Sequence, residues 1–448
     1  MPKQSFYNHF QKWTDDYYIA YNACSGAVAL MTPEHYATYE ALVVKLNAGQ
    51  KDGFNEKEAE LLKQLEYGGF VCPDTHSELQ DLQFKHNIAR YSCSNLSLVI
   101  APTMACNMAC EYCYESNKTG RMSKELIDAM ADYVEVRAQG LTSLDITWYG
   151  GEPLLAMDMI EELSGRFISL SEKYHYEYGA SIVTNGYLLT PEVVDRLCEL
   201  RVKACQVTLD GPASVHNKKR PLKNGKDSFA TIIRNLNYVL GKMAVSVRVN
   251  VDQSFSVETI GQLLDELEQA GLREKVSINF GHLEPATQVC SNISESCFET
   301  LAFSKVESDF FKLLLEKGFR IDKLPAPSAV CCMSQIVNSF VVDPQGELYR
   351  CWNYVGDVSH SMGNIADVHN YQHPNFLKLF SVDPFEYETC RECNLLPICM
   401  GGCPDRRVSR GLSSEQVCET WKYNLEPMLE IIAASRQQEA RRRAKEQS

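Results

Sequence analysis

Three cysteines, Cys106, Cys110 and Cys113, follow one another with three and then two residues between them. Three thiolates on so short a loop can hold three corners of a [4Fe–4S] cube and leave the fourth iron without a protein ligand. An iron with an open position binds a small molecule, whereas a fully ligated cluster mainly carries electrons. The competing reading is a zinc knuckle, but a structural zinc site is closed by four ligands and no histidine follows nearby. A second cysteine group begins at the adjacent pair Cys331 and Cys332 and continues through Gly346 to Cys351, with four residues between that glycine and the cysteine. It resumes as Cys390-x2-Cys393-x5-Cys399-x3-Cys403 and ends, after a gap, at Cys418. Cys24, Cys72, Cys93, Cys198 and Cys205 fit neither group and read as small buried hydrophobes.

The rest of the composition narrows the class. The chain has 448 residues, 18 of them cysteine, and 45% are apolar, which allows two or three domains with a sizeable core. The N-terminus, MPKQSFYNHFQKW, has no apolar signal-peptide core. No apolar run reaches the roughly 18 residues a membrane helix needs. A cytoplasmic, reducing location is therefore expected, where cysteine-rich segments hold metal rather than disulfides. The net charge of −14 argues against nonspecific nucleic-acid binding. Neither nucleic acid nor membrane is expected as a partner.

The elements that must position these cysteines follow from periodicity. In residues 1–94, DYYIAYNACSGAVALM reads as a hairpin turning at Ser25-Gly26. Thr32-Pro33 opens a helix as N-cap and first residue. Helices over 56–66 and 77–91 complete a winged-helix-like module. Residues 95–285 alternate strands (LSLVIAP, LDITWYG, ASIVTNG, ACQVTLDG, VSVRVNV, VSINFGH) with helices at 123–138, 191–200, 228–240 and 257–270. Strand–helix alternation implies a parallel sheet, and six units suggest an α/β fold of the partial (β/α)6, TIM-like barrel type. Chemistry in such barrels sits at the C-terminal strand ends, where the Cys106 loop, Gly150-Gly151-Glu152, Thr184-Asn185, Asp210 and Asn250 all fall. Residues 286–330 read as a connector with a helix near 299–317. Residues 331–425 form a cysteine-rich domain with little room for an apolar core, of the kind that folds around metal. The chain reads as helix from about residue 420, with residues 426–448 as a helical, solvated tail.

C-x3-C-x-Φ-C after the first barrel strand, followed by Gly150-Gly151-Glu152-Pro153 at the next strand's end, resembles the radical SAM superfamily. The resemblance implies that S-adenosylmethionine (SAM) chelates the open iron and is cleaved to a 5′-deoxyadenosyl radical. It implies that Tyr112 lies near the adenine and that Gly150, Gly151, Glu152 and Pro153 meet the SAM amino group. Thr184, Asn185, Asp210, Arg248 and Asn250 match positions that contact the SAM ribose, its carboxylate or the substrate. His216 and Arg220 match a stretch common in peptide-modifying members, with an ordinary surface loop as the alternative. The second cysteine group resembles the SPASM domain, which holds two auxiliary [4Fe–4S] clusters, making three in all. In that family's interleaved pattern, Cys351 and Cys403, with Cys331 or Cys332, hold the first. Cys390, Cys393, Cys399 and Cys418 hold the second. The fourth position of the first auxiliary cluster stays open between the other of Cys331 and Cys332, Cys290, Cys297 and the substrate.

The N-terminal module resembles PqqD-like recognition elements, which bind a leader peptide by strand addition. Together these resemblances imply a maturase of ribosomally made precursor peptides that installs a thioether or carbon–carbon cross-link. Its partners would be a precursor with a leader and a low-potential electron donor such as ferredoxin or flavodoxin. The alternative is an anaerobic sulfatase-maturing enzyme making formylglycine, but those proteins carry an aspartate where this chain has Trp352. A more distant alternative is a noncatalytic iron–sulfur electron carrier or sensor. Deleting residues 1–90 is expected to spare SAM cleavage while weakening peptide turnover.

Overall fold

The computed structural model describes residues 2–50, 52–115, 120–367 and 371–446. The N-terminal unit contains β1 (Pro2–Gln4), β2 (Asn8–Lys12), β3 (Tyr18–Asn22), β4 (Val28–Met31), α1 (Pro33–Asn47), α2 (Glu56–Tyr67), β5 (Val71–Pro73) and α3 (Glu78–Tyr91). The expected hairpin is present as β3–β4, and Gly26 adopts φ +73° at its turn. Thr32 caps α1 by accepting from the His35 N–H, with Pro33 in the first turn. Three strands went unforeseen: β1 and β5 pair antiparallel with each other, and β2 pairs antiparallel with β3, so the larger sheet has three strands in the order β2-β3-β4.

This unit is not a separate body. Side chains of β3 alternate between two cores. Ala20 packs with Met31, Tyr39 and Leu42 inside the unit. Ile19 and Tyr21, both fully buried, join the main core instead. Tyr21 Oη donates to Pro325 O at 2.7 Å, and His86 Nδ1 lies 2.6 Å from Ala329 O.

The barrel portion runs β6 (Asn95–Ile100), α4 (Lys124–Arg137), β7 (Ser143–Trp148), α5 (Met157–Tyr174), β8 (Glu177–Thr184), α6 (Pro191–Glu199), β9 (Val202–Thr208), α7 (Ala213–Lys219), α8 (Phe229–Val239), β10 (Ala244–Val251), α9 (Val257–Gln269) and β11 (Ser277–His282). All six expected strands form and pair in parallel in chain order. Helix α10 (Thr300–Glu316) follows. The sheet does not stop at six strands. β12 (Ser339–Val342), from within the cysteine-rich segment, pairs in parallel with β6, and β13 (Leu348–Tyr349) returns antiparallel to it. Ser-Phe-Val-Val supplies four fully buried residues that cover the β6 edge, so this segment finishes the barrel's sheet as well as carrying thiols.

Strand alternation also sets the barrel's lining. On β10, Val245, Val247, Val249 and Val251 are buried against the surrounding helices, while Ser246, Arg248 and Asn250 face the other way. Small polar residues pair across the inner face: Thr147 with Ser181 at 3.2 Å and Asn279 with Ser246 at 2.8 Å. An interior lined this way leaves room for a ligand, where a complete barrel would fill it with branched apolar side chains.

The C-terminal helix starts at Trp421, as expected, and runs to Glu446. Met428, Leu429, Ile432 and Ala433 are buried, so its first half belongs to the core and only the later turns are solvated. Residues 447 and 448 of the expected tail lie outside the described residues. Cys93 is exposed, in the loop between α3 and β6, which corrects its reading as buried; Cys205 is buried, and Cys24, Cys72 and Cys198 are half-buried. Among the described residues no helix is long and apolar enough to cross a membrane.

Candidate active site

A cavity of about 460 Å³ opens at the C-terminal ends of β6 to β11. Cys106, Cys110, Tyr112, Cys113, Gly150, Gly151, Thr184, Asn185, Arg248 and Asn250 all line it. Glu152, Pro153 and Asp210 do not; Glu152 and Asp210 are fully buried beneath its floor.

The cysteine loop is held by backbone contact with the Gly150-Gly151-Glu152 turn. The Tyr149, Gly151 and Glu152 N–H groups donate to Ile100, Thr103 and Ala105 carbonyls at 2.9, 3.2 and 2.8 Å. This approach needs glycine. A Cβ on Gly151 would sit 2.4 Å from both Met104 O and Ala105 O, and one on Gly150, at φ +107°, would sit 2.5 Å from Thr103 O. Glu152 extends the same work with its side chain. One carboxylate oxygen accepts from Thr184 Oγ1 (2.8 Å) and Leu154 N (3.1 Å), the other from Asn185 N (2.8 Å). It thereby ties the end of β7 to the end of β8. Burial raises its pKa, while these three donors pull it back. Asn185 Nδ2 reaches across to Asn107 Oδ1 in the cysteine loop at 2.7 Å.

A second network lies opposite. Tyr112 Oη donates to Asp210 and accepts from Arg220, and Asn250 Nδ2 donates to it at 3.2 Å. Asp210 also accepts from Asn250 N at 2.8 Å. Burial raises the Tyr112 phenol well above its ordinary range. The Asp210 N–H donates to His216 Nδ1 at 3.1 Å, leaving Nε2 as the protonated nitrogen toward Ser228 Oγ (3.1 Å), which itself donates to Arg220 O. Burial lowers His216 to about 3, so it is neutral and positions the Asp210 turn. His216 is thus a core residue and not part of a surface loop. Arg248 Nε donates to Asn250 Oδ1 at 2.9 Å, and its guanidinium lies flush on Gly281, where a Cβ would come 2.4 Å from Nη2.

Several lining residues were missed by sequence reasoning: Gln206, Thr208, His282, Glu284 and Tyr149 among them. Gln206 and Thr208 obey the same period-two alternation as Arg248 and Asn250 and were legible from it. Glu284 was not. It is clamped by Arg406 at 2.6 Å and Arg410 at 3.2 Å, partners more than a hundred residues away on the segment after Cys403. Trp352 also faces the cavity, edge-on to Tyr149 with ring centroids 4.7 Å apart.

The remaining cysteines gather in two sets. Cys332, Cys351 and Cys403 are electrostatic neighbours, as are Cys390, Cys393, Cys399 and Cys418. Cys290 Sγ lies 3.3 Å from Thr287 O and has Cys297 as a thiol neighbour. Among the described residues, no three His, Cys, Asp or Glu side chains close on one point as ligands of a single metal ion. The donor chemistry suits iron–sulfur ligation. Burial pushes Cys106 up to about 11 and Cys399 to about 12, so these thiols lose their protons only to a strong cationic centre. N–H groups already point at sulfur: Met108 N at 3.4 Å from Cys106, Arg407 Nη2 at 3.8 Å from Cys390 and Lys422 Nζ at 3.7 Å from Cys393.

Residues 100–267 match the Radical SAM superfamily. With an open-ended parallel barrel and three cysteines at its mouth, residues 100–267 form the radical SAM domain of an enzyme, from a superfamily that works with a [4Fe–4S] cluster and SAM. The chain's relatives include the cysteine-type anaerobic sulfatase-maturating enzyme of Clostridium perfringens, 28% identical over 73% of this chain and 94% of that protein. The mycofactocin maturase MftC of Mycolicibacterium smegmatis is 26% identical over 69% of this chain and 78% of that protein. In fold, the chain is similar to Streptococcus suis SuiB, solved bound to its precursor peptide SuiA, at 16% identity and a TM-score of 0.50 over 90% of this chain and 95% of that one.

Proposed function

We propose that this enzyme matures a ribosomally made precursor peptide, removing hydrogen from one residue and joining that residue to another through a thioether or carbon–carbon bond. The observation that carries this reading is the N-terminal unit. The fold likeness to SuiB covers more of the chain than residues 95–448 amount to, so it extends into that unit. β2 meets the C-terminal helix, with Gln11 Nε2 donating to Glu426 O at 3.1 Å. β4 is the other edge, with no further strand beside it among the described residues. An edge strand is a template for an added peptide strand. The low-potential electron donor expected from the resemblance belongs to the same reading.

Under this proposal Cys106, Cys110 and Cys113 hold the SAM-binding cluster, and Cys332, Cys351 and Cys403 and then Cys390, Cys393, Cys399 and Cys418 hold two auxiliary ones. Cluster and SAM together supply the radical that takes hydrogen from the substrate. The chain's own residues do the rest. Gly150 and Gly151 let the turn close on the cysteine loop, and Glu152, Thr184 and Pro153 fix that turn from below. Asn185, Arg248 and Asn250 present their polar atoms to SAM, and Tyr112 presents its ring. Asp210 holds Tyr112 and Asn250 in place.

Sulfatase maturation is the second reading, favoured by the similarity to the C. perfringens enzyme. Against it stands Trp352, an aromatic in the cavity at the position where those proteins carry an aspartate. Mass spectrometry of a peptide encoded beside this gene and coexpressed with it separates the two. A loss of about 2 Da per event, with the mass carried by linked fragments, is expected for a cross-link. Formylglycine at a cysteine or serine of an offered sulfatase peptide, with no cross-link in the neighbouring peptide, would overturn the proposal.

A further inference from the structure

Cys331 and Cys332 are adjacent, yet they face different surroundings. Cys331 packs against the main core, which also takes Cys390 and Cys393. Its N–H donates to the buried Gln335 Oε1 at 2.8 Å. Cys332 is exposed, with its sulfur 3.0 Å from Ser334 Oγ. The next residue, Met333, packs in the smaller core that contains Cys351 and Trp352, and Trp352 Nε1 donates to Met333 Sδ at 2.7 Å.

Arg350, immediately before Cys351, holds the Cys332 loop in that place. It is 3% exposed. Its guanidinium donates to Ser334 O, Ile336 O and Ser339 O at 2.6, 2.7 and 2.6 Å, and to Met333 O at 3.4 Å. The Phe376 ring lies 4.6 Å from its centre. Among the described residues no carboxylate comes within ion-pair distance of it, and its buried Nε–H has no hydrogen-bond partner. A buried cation without a counter-charge is costly, and four carbonyls offset only part of that cost. The missing counter-charge sits beside Cys332 and Cys351, where thiolate ligands of a cluster would place negative charge.

Resting on the reading of this segment as a cluster-binding domain, we propose that Arg350 is the positioning residue of the first auxiliary site. Its fork fixes Cys332, and not Cys331, beside Cys351 and Cys403, and its charge offsets that of the cluster these three hold. Removing a nearby positive charge makes adding an electron to a cluster harder, so the charge also raises that cluster's potential.

The test compares the full-length wild type with Cys331→Ala, Cys332→Ala, Arg350→Lys and Arg350→Met after anaerobic reconstitution. Iron and sulfide are counted per chain, and potentials are read by EPR-monitored titration. Cys332→Ala is expected to lose about one third of the iron, one cluster of three, and Cys331→Ala to keep all of it. Arg350→Met is expected to shift one cluster's potential downward, and Arg350→Lys, which keeps the charge, to stay near the wild-type value. Full iron in Cys332→Ala, lost iron in Cys331→Ala, or unshifted potentials in Arg350→Met would each overturn the inference while the wild type holds three clusters. Iron for a single cluster in the wild type would overturn the cluster-domain reading itself.

Discussion

Replacing Gly151 by alanine tests whether the Gly150-Gly151-Glu152 turn is a mould for the cysteine loop. The added Cβ would fall 2.4 Å from Met104 O and Ala105 O and 2.7 Å from the Ala105 carbonyl carbon, where ordinary contact begins at 3.4 Å. All three atoms are backbone, directly before Cys106, so no side chain can rotate away. The loop must retreat by about 1 Å, with overpacking costing about 1–3 kcal/mol. That retreat also stretches the Gly151–Thr103 and Glu152–Ala105 hydrogen bonds, at about 1 kcal/mol each. Roughly 2–5 kcal/mol is therefore at stake locally, and a 1 Å misplacement of reacting groups costs about 100-fold in rate. The assay is 5′-deoxyadenosine release from SAM with dithionite, alongside iron content. Gly165→Ala serves as the control: nothing lies within 4 Å of that position inside α5, so it is expected to stabilise by about 0.5–1 kcal/mol and leave the rate unchanged. Wild-type 5′-deoxyadenosine release by Gly151→Ala would refute the mould.

Three further outcomes follow from the buried groups. Glu152→Gln turns an amide NH2 toward either Asn185 N–H or the Thr184 and Leu154 donors, and is expected to lower the denaturation free energy by about 1–3 kcal/mol; an unchanged urea midpoint would contradict it. His216 is lowered from 6.5 to about 3 on folding, so the folded state binds fewer protons between those values. Its contribution is fully present above pH 6.5 and is lost as pH falls, by about 1.4 kcal/mol per unit, and urea midpoints at pH 7, 5.5 and 4.5 should show a correspondingly shallower slope in His216→Gln. Deleting residues 1–90 should do more than weaken peptide turnover. Ile19 and Tyr21 leave the main core, each removing about 1.5–3 kcal/mol of burial, so loss of soluble, SAM-cleaving protein is expected; normal cleavage by the truncated chain would restore the view of an independent module.

The parts of this molecule that could be read from its sequence are those encoded locally. Each barrel strand is a short apolar run with a special residue at its end, and the cysteine spacings survive as counts. Arg248 and Asn250 share one face of β10 because side chains alternate, and the same count along β9 leads to Gln206 and Thr208. What escaped was set by long-range partners. Glu284 has no local pattern, and only Arg406 and Arg410 give it a place. Glu152 reads as one of four residues meeting SAM, yet its carboxylate is used up on neighbouring backbone and Thr184. β12 is four residues long, too short to announce itself, and becomes a strand because the β6 edge accepts it.

The docking of the N-terminal unit bears on the precursor as well as on the enzyme. The unit is anchored by the buried faces of Ile19 and Tyr21, by Tyr21 on Pro325, by His86 on Ala329 and by Arg90 on Asp383 at 3.4 Å. A module held at several points keeps its free β4 edge at a fixed distance from the cavity, whereas one on a loose tether would sample many distances. If the leader adds to β4, the residue that reaches the cavity is then chosen by the length of peptide between leader and core. Inserting two Gly-Ser pairs into that spacer should move modification toward the leader, or reduce it sharply where no reactive residue falls in the new register. Tandem mass spectrometry of the coexpressed variant peptides reads the position directly. Modification that stays at its original residue with undiminished yield would mean that the unit does not set the register and that β4 is not the anchoring edge.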